Sequence, residues 1–351
     1  MRELTDSIKA KALQLGFDLV GVAEVRPSEH AAFYRDWIGA GRHGEMSYLA
    51  REDAVRRRLS PDEVFRSAVV VALNYFPGNH AREGKVARYA NGRDYHKVIK
   101  PRLMSLLRFI EENAGRALPL ARAFVDTGPV LERELARRAG IGWFGRNTML
   151  INPKRGSYFF LGALLLEIEL LADAPFADEH CGSCSACVNA CPTNALLGRD
   201  ESGAPVIDAT RCISYLTIEN RGAIPEELRP LMGDRIFGCD ICQEVCPWNS
   251  EKFVQLTREP SFIPSGTARQ KDLLALMIMD EDEWDVFSRG SAIRRARRAG
   301  FLRNVAVALG NVGDDRALPV LHEAASDSEA LVREHAAWAI EQIRSRNEGV
   351  K

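Results

Sequence analysis

The alternation of apolar and polar positions marks out most of the regular elements of this chain. Residues 3–15 carry apolar side chains at helical spacing and stop at Gly16, and the DLVGVAEV that follows has strand character. SAVVVALNY (67–75) is a second β-branched run. HKVIKPRLMSLLRFIEENAG (96–115) returns to helical spacing with a glycine stop, and Pro101 is tolerable only near its first turn. ARAFVDTGPV (121–130) reads as strand then turn, VLERELARRAG (130–140) as a short helix, and GSYFFLGALLLEIEL (156–170) as the strongest strand of the chain. Helices and strands mix irregularly, which predicts an α+β domain over residues 1–170. Residues 171–260 are punctuated by Pro, Gly and Cys and leave little room for a hydrophobic core, so bound metal is expected to supply the missing cohesion. From about 265 to 351 the pattern is helical.

FLRNVAVALGNVG (301–313) and VREHAAWAIEQIR (332–344) align at a spacing of 31 residues, placing Ala306, Ala308, Leu309 and Val312 on Ala337, Ala339, Ile340 and Ile343. Two amphipathic helices can align by coincidence; taken as a repeat, the pair resembles HEAT-like helices. The 351 residues suggest two or three domains, and a net charge of −1 means that any anion-binding surface is local. No apolar run reaches the length of about 18 residues that a membrane span needs, and the first 25 residues lack a basic segment followed by an apolar one. The expectation is a soluble, cytoplasmic monomer.

All eight cysteines lie between 181 and 246. Cys181, Cys184, Cys187 and Cys191 form C-x2-C-x2-C-x3-C-P, the bacterial ferredoxin spacing, in which three thiolates bind one 4Fe–4S cluster and the fourth crosses to another. The crossing requires a second set, and Cys239, Cys242 and Cys246-Pro247 provide it. A symmetric ferredoxin would place a cysteine at 236, where this chain has Ile236, and Cys212 is the thiol left to fill the vacancy. Cys181, Cys184, Cys187 and Cys246 are then assigned to one cluster, and Cys191, Cys212, Cys239 and Cys242 to the other. Two structural zinc sites are the rival reading, although zinc needs neither the crossing ligand nor the Cys-Pro ending. His180, beside Cys181, is expected to be a bystander.

GRHGEMSYL (41–49), ARYANGRDYHKV (87–98), VDTGPVLER (125–133) and GIGWFGRNTMLINPKRGSYFFLG (140–162) are glycine-punctuated stretches that serve equally as ligand loops or as ordinary turns. Together with the cysteine pattern and the helical tail they resemble the epoxyqueuosine reductase family over nearly the whole chain; the VDTGP to FFLG block is the most specific part. The resemblance implies three units: a cobalamin and substrate domain (1–170), a ferredoxin-like domain with two 4Fe–4S clusters (171–260) and a HEAT-like tRNA-binding region (261–351). It implies reduction of epoxyqueuosine to queuosine at the wobble position of tRNA with a GUN anticodon, by cobalamin supplied with electrons through the clusters from an external donor. It further implies Asp126 as the acid that protonates the leaving oxygen, buried and with a raised pKa; the alternative is an aspartate that caps the helix from 130. Tyr89, Asp126, Asn147, Thr148, Ile151 and Ser214 are implied as cobalamin contacts, with Cys212–Ser214 where a cluster approaches the corrin. Asp94-Tyr95-His96 begins like a D-x-H-x-x-G cobalt-ligating motif but lacks its glycine, so His96 is expected in a pocket or structural role.

Residues 286–313 hold six arginines and no acid. Arg294, Arg295, Arg297, Arg298 and Arg303 are the expected tRNA contacts, with Arg298 on one helical face with Arg294 and Arg295; a solvated helix face is the alternative. Reductive removal of a leaving group from a small molecule, and a non-catalytic electron-transfer adaptor, remain as other functions.

Overall fold

The computed structural model describes residues 1–78, 84–264 and 272–348. Helix α1 (Arg2–Gln14) buries Thr5, Ile8 and Ala12, one stripe at helical spacing. Strand β1 (Leu19–Glu24) follows, then β2 (Ser67–Asn74), helix α2 (His96–Ala114), β3 (Arg122–Phe124), helix α3 (Glu132–Arg138) and β4 (Phe159–Leu166). Helix α2 continues through Pro101, which lies beyond its first turn. The four strands form one antiparallel sheet in the order β1-β2-β4-β3, with Val22 opposite Val69, Val70 opposite Ala163 and Ala123 opposite Leu164.

Every residue of β2 is buried, because the sheet is covered on both faces. Val69, Val71 and Leu73 face α1 and α2 through Ile8, Ile99, Leu103 and Ile110. Ala68 and Val70 face α3 and its neighbours through Leu135, Ala136, Ile141 and Leu150. The alternation is the period of two that a pleated strand imposes, and each valine so buried contributes about 1.5–3 kcal/mol relative to exposure.

The cysteine-rich segment has more apolar core than its composition suggests. Ile236 and Phe237 join Trp284, Phe301, Val305 and Ile340 of the helical tail in one cluster. A second cluster unites Ile213, Leu216, Ile224 and Met232 with Val307. Metal is therefore not the sole source of cohesion there. Residues 265–271, where the helical tail was expected to begin, lie outside the described residues.

In the tail, α4 (Arg297–Val312) packs against α5 (Ala330–Glu348). Of the aligned positions, Ala306, Ala308, Leu309, Ala339, Ile340 and Ile343 are buried, whereas Val312 and Ala337 are exposed. His335 ties α5 to the cysteine-rich segment: its Nε2 accepts the Ile224 amide at 3.1 Å and its Nδ1 donates to the Leu331 carbonyl at 2.8 Å. Acceptance at Nε2 requires a neutral ring, and burial lowers its pKa to about 4.

Residues 41–49 dock on the same segment. The Glu45 amide donates to the Tyr215 hydroxyl at 2.7 Å, and Gly44, at φ 57°, leaves room for that ring: a Cβ would lie 2.4 Å from its oxygen.

Candidate active site

The eight cysteines lie in short turns and single-turn helices, and none is in a disulfide. Their electrostatic neighbours divide them into two groups. Cys246 is raised by burial and by Cys181, Cys187 and Cys184. Cys212 is raised by burial and by Cys191; Cys239 is pushed up to about 12 by burial, with Cys212 adding to it. Cys242 is raised by burial and by Cys239, Cys212 and Cys187, so it also stands next to the other group. Clustered thiolates that burial and mutual repulsion make costly are what iron cations neutralise. These neighbour relations are compatible with a crossing of Cys191 and Cys246 between the two sets. Cys212 stands at the N-cap position of the helix Ile213–Ile218, without a side-chain cap hydrogen bond. His180 packs by its ring against Trp143 and Trp248, as a bystander would.

Asp126 stands in the turn between β3 and α3 at φ 61°, in the left-handed region that aspartate enters more readily than most residues. Its Oδ2 accepts the Tyr95 hydroxyl at 2.7 Å. The expected burial is absent: the side chain is exposed to solvent. The turn places the carboxylate at the surface of a cleft instead of inside the wall. The capping alternative fails as well, since α3 begins at Glu132 with Leu131 as its cap and no side-chain cap hydrogen bond.

The groups around Asp126 define the cleft. Tyr95 and Tyr89 have hydroxyls raised by burial and by the Asp126 charge. Tyr48 is raised by burial and by Glu219 and Asp126. Glu132 is a carboxyl raised to about 7 by burial, with the Asp126 charge adding to it. Arg133 is lowered by burial and donates to the Thr148 carbonyl.

Thr148 is itself at φ 63°, uncommon for a β-branched residue and a form of local strain that collects at functional sites. Asn147 beside it is buried and donates to the Cys242 carbonyl at 3.3 Å. Gly145 is required here, because a Cβ would lie 2.6 Å from the Asn147 side-chain oxygen. A short path of contacts, Arg133–Thr148–Asn147–Cys242, thus joins the Asp126 cleft to the second thiol group. Tyr89 stands partly buried between the Tyr95 and Phe237 rings, within electrostatic reach of both Asp126 and Asp240. Ile151 is 1% exposed under Gly142 and Gly145, so its side chain offers a ligand no surface. Glu132, Arg133, Tyr95 and Tyr48 were not singled out from sequence as site residues, although Glu132 and Arg133 close the VDTGPVLER stretch that carries Asp126.

The arginines separate into two sets. Residues 292–296 form a 3₁₀ turn and Arg297 lies at φ 60°, so the helical faces expected for Arg294, Arg295 and Arg298 do not form. Arg294 is exposed and pairs with Asp285 at 2.6 Å. Arg295 is half-exposed, holds Glu219 through two bonds of 2.9 Å, lies over the Tyr48 ring and reaches Asp126 electrostatically. Arg297 is exposed beside Arg221. Two expected contacts are corrected. Arg298 is turned inward to Asp327 at 2.9 Å and the Met279 carbonyl at 3.0 Å. Arg303 is fully buried and donates to the Leu216, Asn220 and Gly222 carbonyls. The acids that pair these arginines come from other segments, which a scan of residues 286–313 does not see. No helix among the described residues is long and apolar enough to cross a membrane.

Residues 180–249 match the family model of a 4Fe–4S double cluster binding domain, and residues 290–350 match HEAT repeats. The fold and its two thiol groups therefore define a double-cluster iron–sulfur protein with a helical-repeat tail. Residues 58–127 match the model of epoxyqueuosine reductase QueG. Epoxyqueuosine reductase of Escherichia coli (strain K12) is 42% identical over 359 residues, covering 99% of this chain and 92% of the relative. That of Pseudomonas aeruginosa is 44% identical over 352 residues, covering 96% and 94%. A crystal structure of epoxyqueuosine reductase with a tRNA-Tyr epoxyqueuosine-modified stem loop has a TM-score of 0.81 at 29% identity, covering 97% of this chain and 90% of that one. This chain belongs to the epoxyqueuosine reductase family.

Proposed function

We propose that this protein reduces epoxyqueuosine to queuosine within a tRNA anticodon, with Asp126 as the acid. The carrying observation is the position of Asp126: an exposed carboxylate on a left-handed turn, facing a cleft bounded by Arg295 on one side and joined through Asn147 to the Cys242 loop on the other. The relative solved with an epoxyqueuosine-modified stem loop supports the substrate. The cysteine pattern and its two groups support two 4Fe–4S clusters, one on Cys181, Cys184, Cys187 and Cys246, the other on Cys191, Cys212, Cys239 and Cys242. We assign residues 1–170, 171–260 and 261–351 to cofactor and substrate, clusters, and tRNA. GUN-anticodon tRNA, an external one-electron donor, a monomeric state and a cytoplasmic location belong to the same reading.

Cobalamin fits the residues present. Its peripheral amides both donate and accept, and the cleft offers unpaired groups: His96 Nε2 is buried without a partner while its Nδ1 is held by Asp94 at 2.8 Å. Tyr89, Asn147, Thr148 and Ser214 are the contacts assigned to it in this reading. When bound, low-valent cobalamin supplies reducing power at the epoxide carbon and the clusters supply electrons singly.

The protein's own part is proton management. An epoxide, two electrons and two protons give an alkene and water, so one oxygen must accept two protons as its two C–O bonds break. Asp126 delivers the proton, because an alkoxide is a poor leaving group. The Tyr95 hydroxyl occupies Oδ2, which leaves Oδ1 to face the substrate. Arg294, Arg295 and Arg297 are the cations assigned to the phosphate backbone, and Arg295 is the one of them within electrostatic reach of Asp126.

The decisive test is nucleoside mass analysis of epoxyqueuosine-containing tRNA incubated with the protein, cobalamin and a strong reductant. Queuosine should replace epoxyqueuosine; unaltered nucleoside with both cofactors bound would sink the reading. The cluster assignment has its own test. Cys246→Ser and Cys191→Ser should each lower bound iron from about eight to about four atoms per chain, and the two variants should lose spectroscopically different clusters. Loss of the same cluster from both would overturn the crossing.

A further inference from the structure

The reaction needs two protons at one oxygen, and a single carboxyl such as Asp126 can carry only one at a time. We propose that Glu132 is the site's proton reservoir: it protonates the Asp126 carboxylate after the first transfer, so that Asp126 can deliver the second proton.

The inference rests on the epoxide-reduction reading and goes beyond it. Glu132 lies in the first turn of α3, six residues after Asp126. Its Oε1 is buried with no hydrogen-bond partner. An unpaired buried oxygen makes the ionised carboxylate more costly than the neutral carboxyl, which favours the protonated form. The amides of Glu132 and Asp126 lie against the carboxylate, so the two acids share one stretch of backbone. The charged groups acting on it are Asp126, which opposes its ionisation, and Arg133, which favours it. Arg133 is tied to the Thr148 carbonyl and is not committed to Glu132. Desolvation prevails, and the carboxyl is raised to about 7.

The balance closes without another reactant. Asp126 gives its proton to the epoxide oxygen as the first C–O bond breaks. Glu132 then transfers its proton to the Asp126 carboxylate. Asp126 delivers it to the hydroxyl as the second C–O bond breaks and water leaves, and bulk water reloads both acids. The electrons come from the donor already invoked.

Two readouts test this. Infrared titration of the protein without substrate should show a protonated carboxyl band that disappears as pH rises through about 7 and that is missing from Glu132→Gln. Turnover of the wild type should fall as pH rises through the same value, because the reservoir empties. Glu132→Gln keeps the shape but holds no transferable proton; its turnover should drop roughly 100-fold, with that alkaline fall abolished. Glu132→Asp should restore part of the rate, with the infrared and kinetic transitions displaced together. Should the Gln variant lose iron or melt early, the Asp variant decides alone: an unmoved kinetic transition overturns the proposal. Wild-type rate and pH profile in Glu132→Gln, or a carboxyl that titrates in the ordinary carboxylate range, also overturns it. Failure of the wild type to convert tRNA would instead sink the underlying function, a result the infrared titration does not share.

Discussion

Asp126→Asn should lower turnover by about 100- to 10,000-fold, the range spanned by single general acids, while both clusters and cobalamin still bind. Asparagine is isosteric, and it is among the few residues that tolerate φ near 61°, so the turn between β3 and α3 survives the change. It still accepts the Tyr95 hydroxyl, so the geometry around Oδ2 is kept. What it lacks is a transferable proton. The exposed position makes this a clean experiment: no buried charge is removed and no cap is lost, so folding should be unchanged. The measurements are single-turnover conversion of epoxyqueuosine, iron content and the visible spectrum of the reconstituted protein. Retained turnover with intact cofactors would remove Asp126 from the chemistry. Asp126→Ala is the harsher companion, since alanine at positive φ adds backbone strain to the lost acid.

Arg303→Met should destabilise the protein by about 3–5 kcal/mol, whereas Arg297→Ala should leave stability unchanged and weaken tRNA binding. Arg303 was expected at the RNA surface, but its guanidinium is buried among the Leu216, Asn220 and Gly222 carbonyls and the Asn304 side chain. Burial lowers its pKa to about 10, so it remains charged at neutral pH. Methionine fills most of the volume but leaves those carbonyls unpaired, and an unpaired buried acceptor is the costly half of a broken hydrogen bond. The loss should appear as early melting of the seam between α4 and the helix Ile213–Ile218, followed by cluster absorbance and circular dichroism together. Arg297, exposed beside Arg221, contributes only to the local field, and its removal should reduce the salt dependence of tRNA affinity by about one unit of log–log slope. An Arg303→Met protein that melts normally but loses RNA affinity would reverse the assignment.

The secondary elements were readable because their signals are local. The buried stripe of α1, the unbroken apolar run of β2 and the helical spacing of α2 report which face meets a core, and burial confirms them within a residue or two. The double-cluster domain was readable for a different reason: the ferredoxin spacing of its cysteines is local in sequence, and residues 180–249 match a 4Fe–4S double cluster binding domain. The placement of Asp126 was only half readable. VDTGPVLER named the residue, but its exposure, its bond to Tyr95 and the failure of the capping alternative depend on the left-handed turn and on α2 lying alongside.

Chain order alone was enough for the periodicities, the thiol arithmetic and the family resemblance, because each is a property of neighbours along the chain. The fate of each charged side chain was decided in three dimensions. Arg298 and Arg303 meet partners far away in sequence, Asp327 on one side and the Leu216 to Gly222 carbonyls on the other. Ile151 closes under two glycines. Glu132 becomes an unusually weak acid because burial, and after it the Asp126 charge, is brought against it. Charge and burial depend on everything within several ångströms, and a folded chain fills that volume from segments that its sequence keeps apart.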